Sequence, residues 1–486
     1  MWTSTASCRE LHLQTSGYNA PAAQGSARPP GTGFPTGWEH KSQTVGNILR
    51  FHIRPDNKDK LPPFPIKYIR DGRPCQEKQP IKTDNMKDHK PDKRHPYAGR
   101  RPAGLLRTAL LALALFAMGE ASAQRLHEDP PLTLRPLLQQ LGTELMQGKK
   151  GSIVAIDPAT GEILCMVTNS PEGPDDALAI ATAYPPGSTI KPAQALVFLS
   201  EGLVKADTKI ACHHGFHDGN IKVKCHSHYS PETLTGALAV SCNTWFLQSY
   251  LTMLNDRQKY GSKEKAVSTW HDYLVSMGLG GPSGIDMPGE KGGLVANVNY
   301  LTRRYKTGWE PRTILWAGMG QGDITVTPLQ LCNLAASIAN RGFFFTPHIH
   351  KNTEWSPLPP RFLTPHQTKA LPAAYNTVIA GMRLAVTKGT ATVLNGTSYP
   401  VCGKTGTAEN AGKDHSAFIG FAPMNNPKIA IAVYIEHGGF GADTAAPIAG
   451  LVMEKYLKGR LSPKSTARAR RLEQMQTIEK QNPPAR

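Results

Sequence analysis

No Cys-x-x-Cys pair occurs anywhere in the 486 residues, and eight cysteines are too few for a disulfide-built scaffold. Internal repeats are absent, and aromatic residues make up only 7% of the chain. The apolar run from Thr108 to Gly119 is twelve residues, short for a helix that spans a membrane. Acidic residues are scarce, 37 against 55 Lys and Arg, for a net charge of +18. That excess gathers at the two ends of the chain. With no basic helix or aromatic–basic platform legible, it does not describe a nucleic-acid site. Glycine (45) and proline (40) are plentiful and call for many turns, while 40% apolar residues suffice for a sizeable core.

The ends are organised differently from the middle. Residues 1–85 are rich in Pro, Gly, Lys and Asp without periodicity. They read as disordered, or as an extension ahead of a true translation start at Met86. Residues 86–124 carry a basic stretch, the apolar run and Ala-Ser-Ala before Gln124, the grammar of a cleaved export signal or a short membrane anchor. The chain beyond Gln124 is expected to be exported. Residues 460–486 read as a basic, disordered tail.

Between 146 and 459 the pattern predicts one α/β domain. GSIVAIDPATGEILCMV (151–167) reads as two strands around a Pro/Gly turn. VCGKTGTA, SAFIGFAP and KIAIAVYIEH supply three more near the other end, so the sheet is expected to combine both ends. Helices are expected from Ser188 to near Gly202, over 231–250 with an interruption at Ser241, over 323–341, over 366–387 and over 446–458. Pro192 falls early enough in its helix to be tolerated.

Three short stretches carry chemistry. Ser188 and Lys191, three apart at a helix start, put a weak nucleophile beside an amine that can act as its base once desolvation lowers its pKa. Amides at that helix start also suit a developing oxyanion. Ser241-Cys242-Asn243 is the second stretch. Lys404-Thr405-Gly406-Thr407 is the third, a strand edge able to bind a carboxylate, with Gly406 leaving room for a substrate's close approach. Each alone has a plain alternative: a capping serine with a solvated lysine, a local helical Asn, a turn lysine facing water. Their combination and order are more specific.

With YPPGSTIKP, SCNTWF, GMGQGDITVTPLQLCNLAASIANRG, GKTGTAENAGKDHSAFIGFAP and IEHGGFGADTAAPIAG in view, residues 133–458 resemble the class B penicillin-binding proteins, and within them the elongation-type penicillin-binding protein 2 branch. The resemblance implies a serine β-lactamase/D,D-transpeptidase-like fold, an antiparallel sheet flanked by helices with a mostly helical subdomain. It implies a peptidoglycan D,D-transpeptidase on the extracytoplasmic face of a bacterial inner membrane, acylated covalently by β-lactams. Ser188 would attack the stem-peptide carbonyl and Lys191 would take its proton. Ser241 would relay a proton to the leaving D-alanine, Asn243 would bind the substrate amide and Lys404 would support the network. Thr405 and Thr407, beside Gly406, would hold the terminal carboxylate, and the amides of Ser188 and Thr407 would form the oxyanion hole.

The residues are shared with D,D-carboxypeptidases, so water as acceptor is the leading alternative; a non-catalytic β-lactam sensor or cell-wall scaffold is another. The resemblance also implies a glycosyltransferase partner of the elongation machinery. Only about 25 residues separate the export segment from GSIVAID, however, too few for the pedestal domain that holds such partners in relatives. His415 is a candidate for the cleft or for packing, Gln321 for shaping a loop, and Glu409 and Asp443 for surface positions.

ACHHGFHDGNIKVKCHSH (211–228) remains, with two cysteines and five histidines. Some elongation-type relatives bind zinc in this region, with a cysteine in the second motif among the ligands. By that resemblance Cys212, Cys225, His228 and Cys242 form a tetrahedral set suited to a structural Zn²⁺, with no metal needed for catalysis. A Cys212–Cys225 disulfide and unpartnered residues are the alternatives, and His213, His214, His217 and His226 are further donors.

Overall fold

The computed structural model describes residues 131–478. The expected extension, the export segment and residues 479–486 of the tail lie outside the described residues.

β1 (Gly151–Ile156) and β2 (Ile163–Asn169) form the expected hairpin, its turn tightened where the Asp157 carboxylate accepts the Ala159 N–H. The middle of the chain adds three two-stranded ribbons. These are β3 (Gly215–Asp218) with β4 (Ile221–Lys224), β5 (Leu294–Val295) with β6 (Ile324–Thr325), and β7 (Phe343–Phe344) with β8 (His366–Gln367). Near the other end come β9 (Cys402–Ala408), β10 (His415–Ala422) and β11 (Ile429–Ile435). One antiparallel five-stranded sheet results, in the order β2-β1-β11-β10-β9, closed where Gly151 pairs with Ile435. The two ends of the domain do meet in one sheet.

Both faces of that sheet are buried, which is why its strands read as unbroken apolar runs. Along β11, Ile429, Ile431, Val433 and Ile435 enter one core with residues of helices Pro136–Met146 and Ala445–Lys458. Ala430, Ala432 and Tyr434 enter the other with residues of helices Lys191–Ser200 and Pro328–Ala339. Pro328–Ala339 is buried on every side, its polar Gln330, Asn333 and Ser337 included. It starts at a capping box in which Thr327 and Gln330 each accept the other's backbone N–H. The mostly helical subdomain lies between β2 and β9.

Several boundaries differ from expectation. The helix expected from Ser188 begins as a 3-10 turn, Gly187–Ile190, and becomes α-helical only at Lys191, with Pro192 in its first turn. The 231–250 segment is two helices, Leu234–Val240 and Asn243–Asn255, that meet at Ser241. The packed unit reaches past 146 and 459: helix Pro136–Met146 covers β2. The expected disordered tail is corrected as well. Pro463–Glu473 is a helix, basic on its outer side, with Ala469 and Leu472 buried in the core beside Ala445–Lys458. The charge excess hid that short apolar stripe. No described helix is long and apolar enough to cross a membrane.

Candidate active site

Ser188 sits in the 3-10 turn, half-buried, and the turn is held from three directions. Tyr434 donates its hydroxyl to Pro185 O (3.1 Å), Gly187 N–H donates to Gly320 O (2.8 Å), and Tyr184 exchanges both backbone bonds with Val326. Gly320 has φ +85°, and a Cβ there would stand 2.1 Å from the Gly187 carbonyl oxygen, so a side chain is excluded.

One turn on, Lys191 is fully buried. Its Nζ donates to Asn243 Oδ1 (2.7 Å), Ser241 O (2.9 Å) and Ser241 Oγ (3.3 Å). The Phe246 ring lies below it, 5.5 Å from Nζ to centroid. Burial brings the Lys191 pKa down to about 8, opposed by the nearby Cys242 and Cys225 thiols. No hydrogen bond joins Nζ to Ser188 Oγ, so the meeting expected from the spacing is not made in this state. Such contacts often tighten only with substrate present.

The lysine is drawn aside by the helix junction. Ser241 adopts a left-handed conformation, φ 59°, uncommon for a residue with a side chain. That kink ends one helix, starts the next and aims both Ser241 oxygens at Lys191. Asn243 is steadied by donating Nδ2–H to Lys224 O (2.9 Å).

β9 forms the opposite edge. Lys404 is fully buried and donates to Thr405 O (2.8 Å); burial, then the Lys191 cation, push its pKa well below the usual lysine range. Thr405 and Thr407 line the cleft, and Thr405 Oγ1 is 2.6 Å from Thr390 Oγ1. At Gly406 a Cβ would stand 2.7 Å from Thr189 Cγ2 and 3.2 Å from Pro186 O, so the missing side chain makes room for the Ser188 turn.

These residues border one cleft of about 640 Å³, lined by Ser188, Ser241, Asn243, Thr405 and Thr407. Lys224, Cys225 and His226 come from the ribbon side, and Glu409, Asp414 and Phe440 from the loops after β9 and β11. Lys404 stands behind this lining. His415 does not line the cleft. Its ring packs against Tyr184, Tyr434 and His437, and its Nδ1 accepts the His437 N–H (3.0 Å), while burial lowers its pKa. Asp443 also lies outside the lining, Glu409 is on it, and Gln321 holds the bend beside Gly320 through Trp316 O.

Cys212, Cys225, His228 and Cys242 come together, every donor atom within 4.8 Å of the others. The β3–β4 ribbon brings this about: Cys225 N–H donates to His214 O (3.0 Å), folding the strand after the turn back toward Cys212. No disulfide joins Cys212 to Cys225. Two observations show that the residues fit a metal. His228 Nδ1 is bonded to Tyr229 O (2.6 Å), leaving Nε2 buried and without a partner, the state of a ligating imidazole. Cys225 is favoured as thiolate because the Cys242 thiol, the Thr244 hydroxyl and the Thr244 N–H converge on its sulfur. That sulfur also accepts the N–H of Asn243 (3.2 Å), so the cluster and the second motif share atoms. Thr244, against two of the thiols, and Thr390, against Thr405, were missed in sequence. Only the place of Thr244 directly after Ser-Cys-Asn offered a signal.

The Ser-x-x-Lys, Ser-x-Asn and Lys-Thr-Gly residues brought together here are the motif set of the penicillin-recognising serine enzymes as a class. The chain belongs to the family described as penicillin binding protein transpeptidase domain, whose pattern matches residues 151–454. It is 29% identical over 383 residues to the peptidoglycan D,D-transpeptidase MrdA of Haemophilus influenzae, 68% of this chain and 56% of that one. The corresponding protein of Acinetobacter baumannii is 30% identical over 375 residues, 66% and 53% of the two chains. Among solved structures, Pseudomonas aeruginosa PBP2 in complex with WCK 5153 is similar with a TM-score of 0.61 at 30% identity, covering 69% of this chain and 78% of that one. These similarities place the chain with the elongation-type branch. It spans little more than half the length of the curated relatives it matches.

Proposed function

We propose that the chain cross-links peptidoglycan as an elongation-type D,D-transpeptidase through an acyl-enzyme at Ser188. The observation that carries this reading is the buried Lys191, depressed to about 8 and hydrogen-bonded to Ser241 and Asn243 in the cleft that Ser188 borders. Ser188 Oγ attacks the carbonyl between the two terminal D-alanines of a stem peptide, and Lys191 as free amine accepts its proton. As the peptide C–N bond breaks, Ser241 passes a proton from Lys191 to the departing D-alanine amine. A second stem peptide's amine then displaces the serine, forming the cross-link and returning the proton to the site. Thr405 and Thr407 bind the terminal carboxylate, Asn243 the donor amide, and the amides of Ser188 and Thr407 the oxyanion. Lys404, buried on β9 behind the cleft lining, supports this network.

Cys212, Cys225, His228 and Cys242 would hold a structural Zn²⁺, which supplies a cross-link between the β3–β4 ribbon and the Ser241–Asn243 junction and no chemical step. The relatives support an extracytoplasmic site of action at the inner membrane. A polymerising glycosyltransferase is the partner class that this reading implies.

Labelling by a fluorescent penicillin, lost in Ser188→Ala, tests the acyl-serine; an unlabelled wild type sinks it. Incubation with a stem peptide and an acceptor amine separates the outcomes that remain. Amide product supports cross-linking, free D-alanine alone means carboxypeptidase, and labelling without turnover means a sensor or scaffold.

A further inference from the structure

Two rings from opposite walls meet across the cleft. His226 directly follows Cys225 on the exit of the β3–β4 ribbon, and Phe440 sits on the loop after β11. Their centroids are 6.1 Å apart with planes at 72°, an edge-to-face contact, and each is the other's only aromatic neighbour among the described residues. Phe440 is otherwise 55% exposed.

The two rings are anchored in different ways. The Phe440 loop is tied to β10 and its approach: Ser416 Oγ donates to Phe440 O (3.0 Å), Gly439 N–H to Asp414 O (2.8 Å), and Thr444 Oγ1 to Gly438 O (2.8 Å). His226 hangs from a ribbon of two four-residue strands, too short to be rigid alone. Its fixed point is Cys225, held by weak N–H bonds to sulfur and, when a metal is bound, by the four-donor knot.

We infer that His226 is a positioning residue that transmits the state of this knot across the cleft to the loop His437–Thr444, which bears no metal ligand. Cross-linking the four donors fixes Cys225, which holds the His226 ring edge-on against Phe440 and steadies the far wall. Release of the metal frees the ribbon, and the far loop loses its contact. The metal then sets the cleft mouth as well as the Ser241–Asn243 junction. The inference rests on the metal reading given under the proposed function.

Hydrogen–deuterium exchange on the full chain, zinc-loaded and then chelator-stripped, tests it, with metal content measured on each sample. The hydrogen-bonded amides of Gly439 and Asp443 report the far loop. Stripping is expected to speed their exchange roughly 2- to 10-fold, the scale of one aromatic contact, with β10 and β11 unchanged. His226→Ala is expected to retain zinc yet exchange at the stripped rate, and His226→Phe to restore the loaded rate. Zinc bound with an unresponsive far loop overturns the inference alone, as does loss of zinc in His226→Ala, which would make His226 a ligand. No zinc in loaded wild type overturns the metal reading itself.

Discussion

Lys191 and Asn243 are joined by a 2.7 Å hydrogen bond that holds a buried ammonium on the second motif and off Ser188. In the resting site Lys191 is thus held on Ser241 and Asn243. Lys191→Met removes the proposed base while keeping the length of the side chain. Acylation by a β-lactam should fall about 10²- to 10⁴-fold. The melting temperature should move little, because losing a buried cation offsets leaving Asn243 without its donor. Intact-mass kinetics that stay within tenfold of wild type would remove Lys191 from its role.

The lowered Lys191 pKa sets a pH dependence with a definite sign. Only the free amine accepts a proton, so with a pKa of about 8 roughly a tenth of the enzyme is competent at pH 7. The acylation rate should climb about tenfold per unit below 8 and level off above it. A profile flat from pH 6 to 9 contradicts this.

Metal removal should act on stability and site together, because Cys225 Sγ accepts the Asn243 N–H. At a thousandfold excess over Kd a bound ion adds about 4 kcal/mol to stability. Chelation, or Cys242→Ser, should lower the melting temperature by several degrees and slow acylation, and elemental analysis should find one zinc per chain. A Cys212–Cys225 disulfide with no zinc would end the reading.

Gly406→Ala places a methyl against Thr189 and Pro186 in the turn that carries the nucleophile. Overpacking of this kind costs about 1–3 kcal/mol, and here the strain moves Ser188 as well. Thermal melts and acylation rates should both fall. Wild-type acylation would mean that the turn and β9 separate freely.

The sheet was legible because its strands are apolar runs bounded by turn signals, and the ends of the domain met as β1 and β11 for that reason. The metal-fitting quartet was legible through the resemblance, with Cys242 inside a motif and cysteines and histidines just ahead of it. The helix Pro463–Glu473 was not, since Ala469 and Leu472 are a thin stripe among arginines and find their burial only against helix Ala445–Lys458. The packing of Gly406 against Thr189 was not legible, because sequence cannot say which distant side chain comes close. His226 and Phe440 lie more than 200 residues apart, and no local pattern announces a contact of that range.

Gly320 seats the Ser188 turn backbone against backbone at Gly187, and Gly406 lets the Thr189 methyl and the Pro186 carbonyl close on β9. Heritable change in what the cleft accepts is then channelled to its rims, the exit of the β3–β4 ribbon and the loop after β11. Side chains can vary at those rims while the Ser188 turn keeps its seat on β9.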